Sequence, residues 1–305
     1  MNKIIQKYKN GDTLGILLDD GTRILDNHSD EPFHLEWPAS VDLNISNYCE
    51  KGCPFCYQNC TRQGKHADLE KIKNILYPFM EVAININMGY DIDDEFINFL
   101  EFCKNNNIVV NATINQEDLL SKRSRLWNIK MLQVRGLIKG LGISFTDINT
   151  INIAKKVLKN IVVHVIAGII DVKDLDILVK EGYNILILGY KQKGRAEHNE
   201  LPDMAYLKNW LRDNLNNSSS VLCFDNLAIK QLGVKELISQ EQWDNFYQGD
   251  EGTISMYING VDMTFACNSF TPWHCDIGNY NIQEMFDIVR KEAVSNGRDI
   301  KKTSK

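Results

Sequence analysis

The sequence predicts an α/β fold: a partial (β/α)6 barrel with an N-terminal β appendage and a small α+β C-terminal cap. Three observations predict it. Strand-length segments over 41–47, 82–88, 108–115, 137–145, 161–167 and 184–190 alternate with segments of helical period. Six such units in succession imply parallel strands joined by right-handed crossovers. Several strands keep one aliphatic and one polar or small parity, whereas a sheet covered on both faces reads as unbroken aliphatic runs. The chain has 305 residues, 44% hydrophobic and 24% charged, which suits one main domain of roughly 200–250 residues plus appendages.

Residues 1–39 form the appendage. Asp19-Asp20-Gly21-Thr22 is a turn signal between 14–18 and 23–25 and predicts a hairpin. The barrel occupies 40–217. Its helices show as apolar faces: Leu69, Ile72, Ile75, Leu76 and Phe79 on one, and Phe96, Phe99, Leu100 and Cys103 on another, so Cys103 belongs to the core. The strand pattern fades near 217, and Ser218-Ser219-Ser220 reads as a linker to the cap, 218–305. Within the cap, 240–247 is helical, 253–258 and 261–266 form a hairpin about Asn259-Gly260, and 282–294 is a closing helix. From Arg290 onward the basic tail is a solvated end.

Side-chain parity separates two faces. Val41, Leu43 and Ile45 alternate with Asp42, Asn44 and Ser46; Val110, Ala112 and Ile114 alternate with Asn111, Thr113 and Asn115; Leu141 and Ile143 alternate with Gly140, Gly142 and Ser144. The aliphatic set meets the helices and the polar set lines a lumen. Ligands of parallel strands gather at the carboxyl ends, which points to Asn115 and Ser144.

The net charge of −6 gives no basic footprint, which weighs against nucleic acid. No apolar run reaches the roughly 18 residues of a membrane span, and the first residues lack the pattern of a secretory signal. A cytoplasmic location is the expectation. In that reducing compartment clustered cysteines indicate metal binding rather than disulfides.

Asn47-Tyr48-Cys49-Glu50-Lys51-Gly52-Cys53-Pro54-Phe55-Cys56-Tyr57 directly follows the first barrel strand. Three thiolates so close together can grip three irons of a cubane and leave the fourth iron a free coordination position. Such a vacancy lets a centre bind a ligand, as at a catalytic zinc.

Cys-x3-Cys-x2-Cys on the loop after strand one, with an aromatic before the last cysteine, resembles the signature of the radical SAM superfamily. The resemblance covers roughly 40–196 and extends to compact bacterial and prophage members, from which no assigned reaction transfers. It implies that Cys49, Cys53 and Cys56 bind a 4Fe–4S cluster. S-adenosyl-L-methionine (SAM) would chelate the free iron and be cleaved reductively to a 5′-deoxyadenosyl radical that takes hydrogen from a substrate. By the same likeness Phe55 packs near the adenine and Tyr57 supplies backbone contacts to it. A flavodoxin- or ferredoxin-type protein would deliver the electron. The substrate is a small molecule or a peptide, a peptide being slightly favoured.

The family's Gly-Gly-Glu-Pro at the end of strand two is replaced here by Asn87-Met88-Gly89-Tyr90-Asp91. Gly89 is the surviving candidate for SAM contact, with Asn87 or Asp91 as polar partners of an ammonium. Lys191, and after it Lys193 and Arg195, could pair with a carboxylate. Cys60 could close a four-thiolate zinc or electron-transfer site with Cys49, Cys53 and Cys56, which is the reading of a non-catalytic metal-binding protein. Cys223, Cys267 and Cys275, with His274, are scattered candidates for an auxiliary cluster, against which their sparse spacing argues. His164 reads as a hydrogen-bonded core residue on its strand.

Overall fold

The computed structural model describes residues 3–27, 33–121, 123–215, 220–247 and 249–302. Ser218 and Ser219 of the predicted linker lie outside them. The N-terminal strands β1 (Ile4–Asn10), β2 (Thr13–Leu18) and β3 (Arg23–Asp26) form an antiparallel meander in that order. The expected hairpin is β2–β3, where the Leu18 N–H donates to the Thr22 carbonyl at 2.9 Å.

The remainder is a mixed α/β assembly built on one ten-stranded, mostly parallel sheet. In chain order it comprises β4 (Ser40–Asn44), α1 (Leu69–Lys73), β5 (Glu81–Ile86), α2 (Asp94–Asn105), β6 (Val109–Asn115), α3 (Gln116–Ser121), α4 (Arg123–Val134), β7 (Leu141–Ser144), α5 (Ile148–Val157), β8 (Ile161–Ile166), α6 (Val172–Lys180), β9 (Asn184–Leu188) and α7 (Ala205–Asn214). There follow β10 (Leu222–Phe224), α8 (Asn226–Leu232), α9 (Gln240–Phe246), β11 (Ser255–Asn259), β12 (Thr264–Ala266), β13 (Cys275–Asp276) and α10 (Ile282–Lys302). The spatial order is β10-β9-β8-β7-β6-β5-β4-β11-β12-β13. The run from β10 to β11 is parallel throughout, and β12 and β13 are antiparallel. Helix starts are set by Asp68, Asp93, Asp147, Asp171 and Asp225, each accepting from a backbone N–H of the first turn, which satisfies a donor that has no partner inside the helix.

Parity divides the sheet as the alternation requires. Val41, Leu43, Val82, Ile84, Val110, Ala112, Leu141, Ile143, Val163, Val165, Ile185 and Ile187 are all buried, and Phe96, Phe99, Leu100 and Cys103 of α2 join the same core. Asp42, Asn85, Asn111, Thr113, Asn115, Ser144 and His164 occupy the other face and are less buried, whereas Asn44 and Ser46, expected on that face, are buried.

The structure corrects the sequence reading at several places. The strand expected over 137–145 is only Leu141–Ser144. Gly136, at φ 66°, and Leu137 close the end of α4 instead, with Gly136 N–H donating to the Gln133 carbonyl and Leu137 N–H to that of Leu132, the pairing of a Schellman cap. The turn expected at Asn259-Gly260 is a four-residue loop, since Asn259 pairs with Thr264. The Asn259 side chain accepts from the N–H groups of Val261 and Asp262 and builds that loop, while Gly260 donates to the Asn44 carbonyl at 2.9 Å. Third, β10 and β11 add parallel strands beyond the six of the alternation. The closing helix also runs on to Lys302, and the helix expected to carry Leu69, Ile72, Ile75, Leu76 and Phe79 ends at Lys73, with Phe79 at φ 72°. No helix among the described residues is long and apolar enough to cross a membrane.

Candidate metal centre

Beyond β4 the chain closes a loop with a defined neck. Ser46 bridges His66 and Tyr48 bridges Thr61. Asn47 N–H donates to Lys65, Thr61 N–H to Asn47 and Cys49 N–H to Thr61, at 2.9, 3.1 and 2.9 Å. Gly64 lies so close to the Asn47 backbone that a side chain there would overlap it. Within the loop Cys49, Cys53 and Cys56 are half-buried and Cys60 is buried.

Three other segments grip this loop. Asn87, just past β5, donates through Nδ2 to the carbonyls of Ser46 and Tyr48 at 2.8 and 3.0 Å. Gly89, at φ 83°, lies against the Glu50 side chain: a Cβ there would come 2.6 Å from Glu50 Cδ. Lys51 Nζ donates to Asn115 Oδ1 at 3.1 Å and to Glu117 at 2.9 Å. The tightest grip comes from the stretch after β9. Arg195 donates through Nε to the Cys53 carbonyl at 2.7 Å and through a terminal guanidinium nitrogen to that of Cys60 at 2.8 Å. Its backbone N–H reaches the Cys56 carbonyl at 3.1 Å. Gly194, at φ 58°, permits this approach, since a Cβ would lie 2.5 Å from the Tyr57 carbonyl oxygen and 2.7 Å from that of Cys56.

The thiols feel one another. Burial pushes the Cys53 pKa up, and the neighbouring Cys56 and Cys49 add to that. Hydrogen bonding from the Cys60 thiol lowers Cys56 to about 6, with Arg195 contributing, and the same contact raises Cys60. Among the described residues no three His, Cys, Asp or Glu side chains are grouped as a metal-binding set. The donor set nevertheless fits an iron–sulfur cluster chemically: three soft thiols within one eight-residue stretch, half-buried, beside a guanidinium that offsets thiolate charge.

The residues expected to contact a cofactor divide into two groups. Phe55 packs against the core, and Gly89 and Asn115 touch the cysteine loop directly. Ser144 is half-buried at the end of β7, in register with His164. Tyr57 and Lys191 meet each other, with Lys191 Nζ 4.3 Å from the Tyr57 ring centre and 5.1 Å from that of Phe270. Burial works to lower the Lys191 pKa, and the charges of Tyr57, Asp225, Asp42 and Glu251 outweigh it and raise the net value. Lys193 instead holds the carbonyls of Phe270 and Thr271 at 2.7 and 3.0 Å, and Ser269 donates to the Tyr57 hydroxyl at 3.3 Å. Residues 269–271 thereby rest on the site.

On the polar face His164 crosses Gly142. A Cβ at Gly142 would meet the imidazole, 2.5 Å from Nε2, and Thr113 Oγ1 at 2.7 Å. No side-chain hydrogen bond reaches His164 among the described residues, which corrects its reading as a satisfied core histidine. Desolvation lowers its pKa to about 4, so the ring is neutral at pH 7 with a donor and an acceptor both free. Asp42 is open to water, yet burial raises its carboxyl pKa. Asn111 is spent on the N-terminal turn, donating to the Gly21 carbonyl and Glu81 and accepting from Gly140 N–H. Cys223 is exposed, Cys267 buried and Cys275 half-buried, while His274 lies edge-on to Tyr257.

Sequence reasoning passed over Lys51, Arg125, Glu251 and Tyr257. A single basic residue on a loop or helix reads as solvated, and no periodic signal distinguishes Arg125 from its neighbours. Neither protein-family models nor curated proteins match this chain.

Proposed function

We propose that this chain is a radical SAM enzyme whose Cys49, Cys53 and Cys56 hold a 4Fe–4S cluster, with SAM beside it and a substrate, a peptide slightly favoured, on the polar face of the sheet. The observation that carries the reading is the Cys-x3-Cys-x2-Cys loop, which directly follows β4 and is gripped by residues from 87–89, 115–117 and 194–195. When bound, such a cluster supplies the electron that cleaves SAM to an adenosyl radical able to take hydrogen from a substrate. The protein's own part is to hold the loop, exclude bulk water and offer polar contacts. Gly89, Asn115, Ser144, Tyr57 and Lys191 are the SAM-facing candidates, and Phe55 is the apolar one. The electron donor would be a flavodoxin- or ferredoxin-type protein in the cytoplasm.

The sheet in this reading curls into a partial barrel. Laid flat, β10 and β11 would stand seven strand spacings apart, about 34 Å at ~4.8 Å each. Segments next to these strands instead meet: Phe224 lies edge-on to Phe246, Asn226 donates to the Gly249 carbonyl, and Lys230 pairs with Asp250 at 3.3 Å.

One observation favours a second reading. Cys60 lies close enough to Cys56 to depress its pKa, so four thiolates could hold zinc or an electron-transfer centre without SAM chemistry. Anaerobic reconstitution with iron and sulfide, reduction with dithionite and detection of 5′-deoxyadenosine test the proposal. It expects product above a Cys56→Ala control and a cluster that survives Cys60→Ala. One zinc per chain, no iron–sulfur absorbance and loss of metal on Cys60→Ala would establish the second reading.

A further inference from the structure

The turn after β5 is held from two sides. Asn87 ties it to the cysteine loop, and Arg125 of α4 holds it from beneath. The Arg125 guanidinium donates to the Tyr90 carbonyl at 2.7 Å and to the Asn87 carbonyl at 3.4 Å. Its Nε bonds Asp118 of α3 at 2.9 Å, and a terminal nitrogen reaches the same carboxylate oxygen at 2.7 Å. Both partners are buried. A planar guanidinium presents donors in a fixed fork, so it can fix two carbonyls and a carboxylate together, whereas an ammonium is a single point charge.

This clamp has a specific consequence for the backbone. The Asn87 carbonyl also accepts from Tyr90 N–H at 2.9 Å, and the Met88 carbonyl accepts from Glu50 N–H at 3.0 Å. Of the carbonyls of residues 87–90, only that of Gly89 has no partner among the described residues. Gly89 holds φ 83°, a conformation that costs an L side chain strain. The turn therefore keeps one hydrogen-bond acceptor free beside the cysteine loop, and an ammonium requires acceptors.

We infer that Arg125, held by Asp118, is a positioning residue for SAM: it fixes the 87–90 turn so that the Gly89 carbonyl stays available to the SAM ammonium. The inference rests on the radical SAM reading. Arg125 does not touch the ligand; it replaces, through the backbone, the ordering that a Gly-Gly-Glu-Pro turn carries in its own sequence.

The test uses full-length protein with reconstituted cluster and SAM as the probe. Arg125→Lys keeps the charge opposite Asp118 and loses the fork. The double variant Arg125→Gln/Asp118→Asn leaves no buried charge unpaired, so it keeps the test alive if the lysine variant folds poorly. For each, iron and sulfide per chain, circular dichroism, SAM affinity by anaerobic calorimetry and the change that SAM causes in the reduced-cluster EPR spectrum are measured. The expected result is wild-type iron content and fold, a SAM Kd raised at least tenfold, and a weakened EPR response at a fixed SAM concentration. A folded, cluster-loaded variant that binds SAM within twofold of wild type overturns the role of Arg125 and leaves the proposed function standing. Wild-type protein that loads a cluster and binds no SAM overturns both.

Discussion

His164 shows how one side chain changes meaning with its surroundings. On a strand of Val and Ile it looks like a core residue, but its ring spans the gap above Gly142 and finds no side-chain hydrogen-bond partner among the described residues. Its pKa of about 4, against 6.5 in the open chain, follows from desolvation. The unfolded chain therefore binds the extra proton first. Stability from the neutral ring is complete above pH 6.5 and is lost as the pH falls towards 4, by about 3 kcal/mol at most. Urea unfolding between pH 7 and 4 should show a steeper loss in wild type than in His164→Gln. Equal slopes would mean that the ring is not desolvated in solution.

Short elements between strands do the positioning. The turn at 194–196 lies more than a hundred residues from the cysteines, yet three of its hydrogen bonds end on their loop. Gly194→Ala adds a Cβ against two carbonyl oxygens and forces a positive φ on alanine. Together these should destabilise the protein by about 1–3 kcal/mol and lower the iron retained after reconstitution. Thermal unfolding and iron analysis check both. Full iron content with an unchanged melting temperature would show that the turn does not hold the loop.

For the whole molecule, the decisive packing is that of the N-terminal meander against the main sheet. Arg23 of β3 pairs with Glu81 of β5 at 3.0 Å, and Asn111 of β6 donates to the same carboxylate at 2.9 Å. The side chains of Arg23 and Glu81 are 12% and 17% exposed, so removing one partner leaves a largely desolvated charge. Arg23→Ala should cost about 3 kcal/mol, and Arg23→Met/Glu81→Leu should recover most of it, since an apolar pair needs no solvation. Chemical denaturation of the single and double variants measures the difference. A single variant within 0.5 kcal/mol of wild type, roughly the scatter of a neutral surface change, would show that the pair does not join the two sheets.

By itself the sequence determined the alternation of strands and helices, the two faces of the sheet and the cysteine loop at the end of the first parallel strand. Each is written in local spacing: period two in strands, a helical period between them, and three cysteines in eight residues. The helix starts were equally local, because an aspartate reaches a backbone N–H only two or three residues away. Other features depended on partners far along the chain. That β11 pairs with β4, that Arg195 binds the cysteine loop and that Arg125 holds the turn at Gly89 could be decided only when folding joined residues 35 to over 200 positions apart. Backbone carbonyls are alike in every residue, so no sequence pattern marks which of them a distant guanidinium will find.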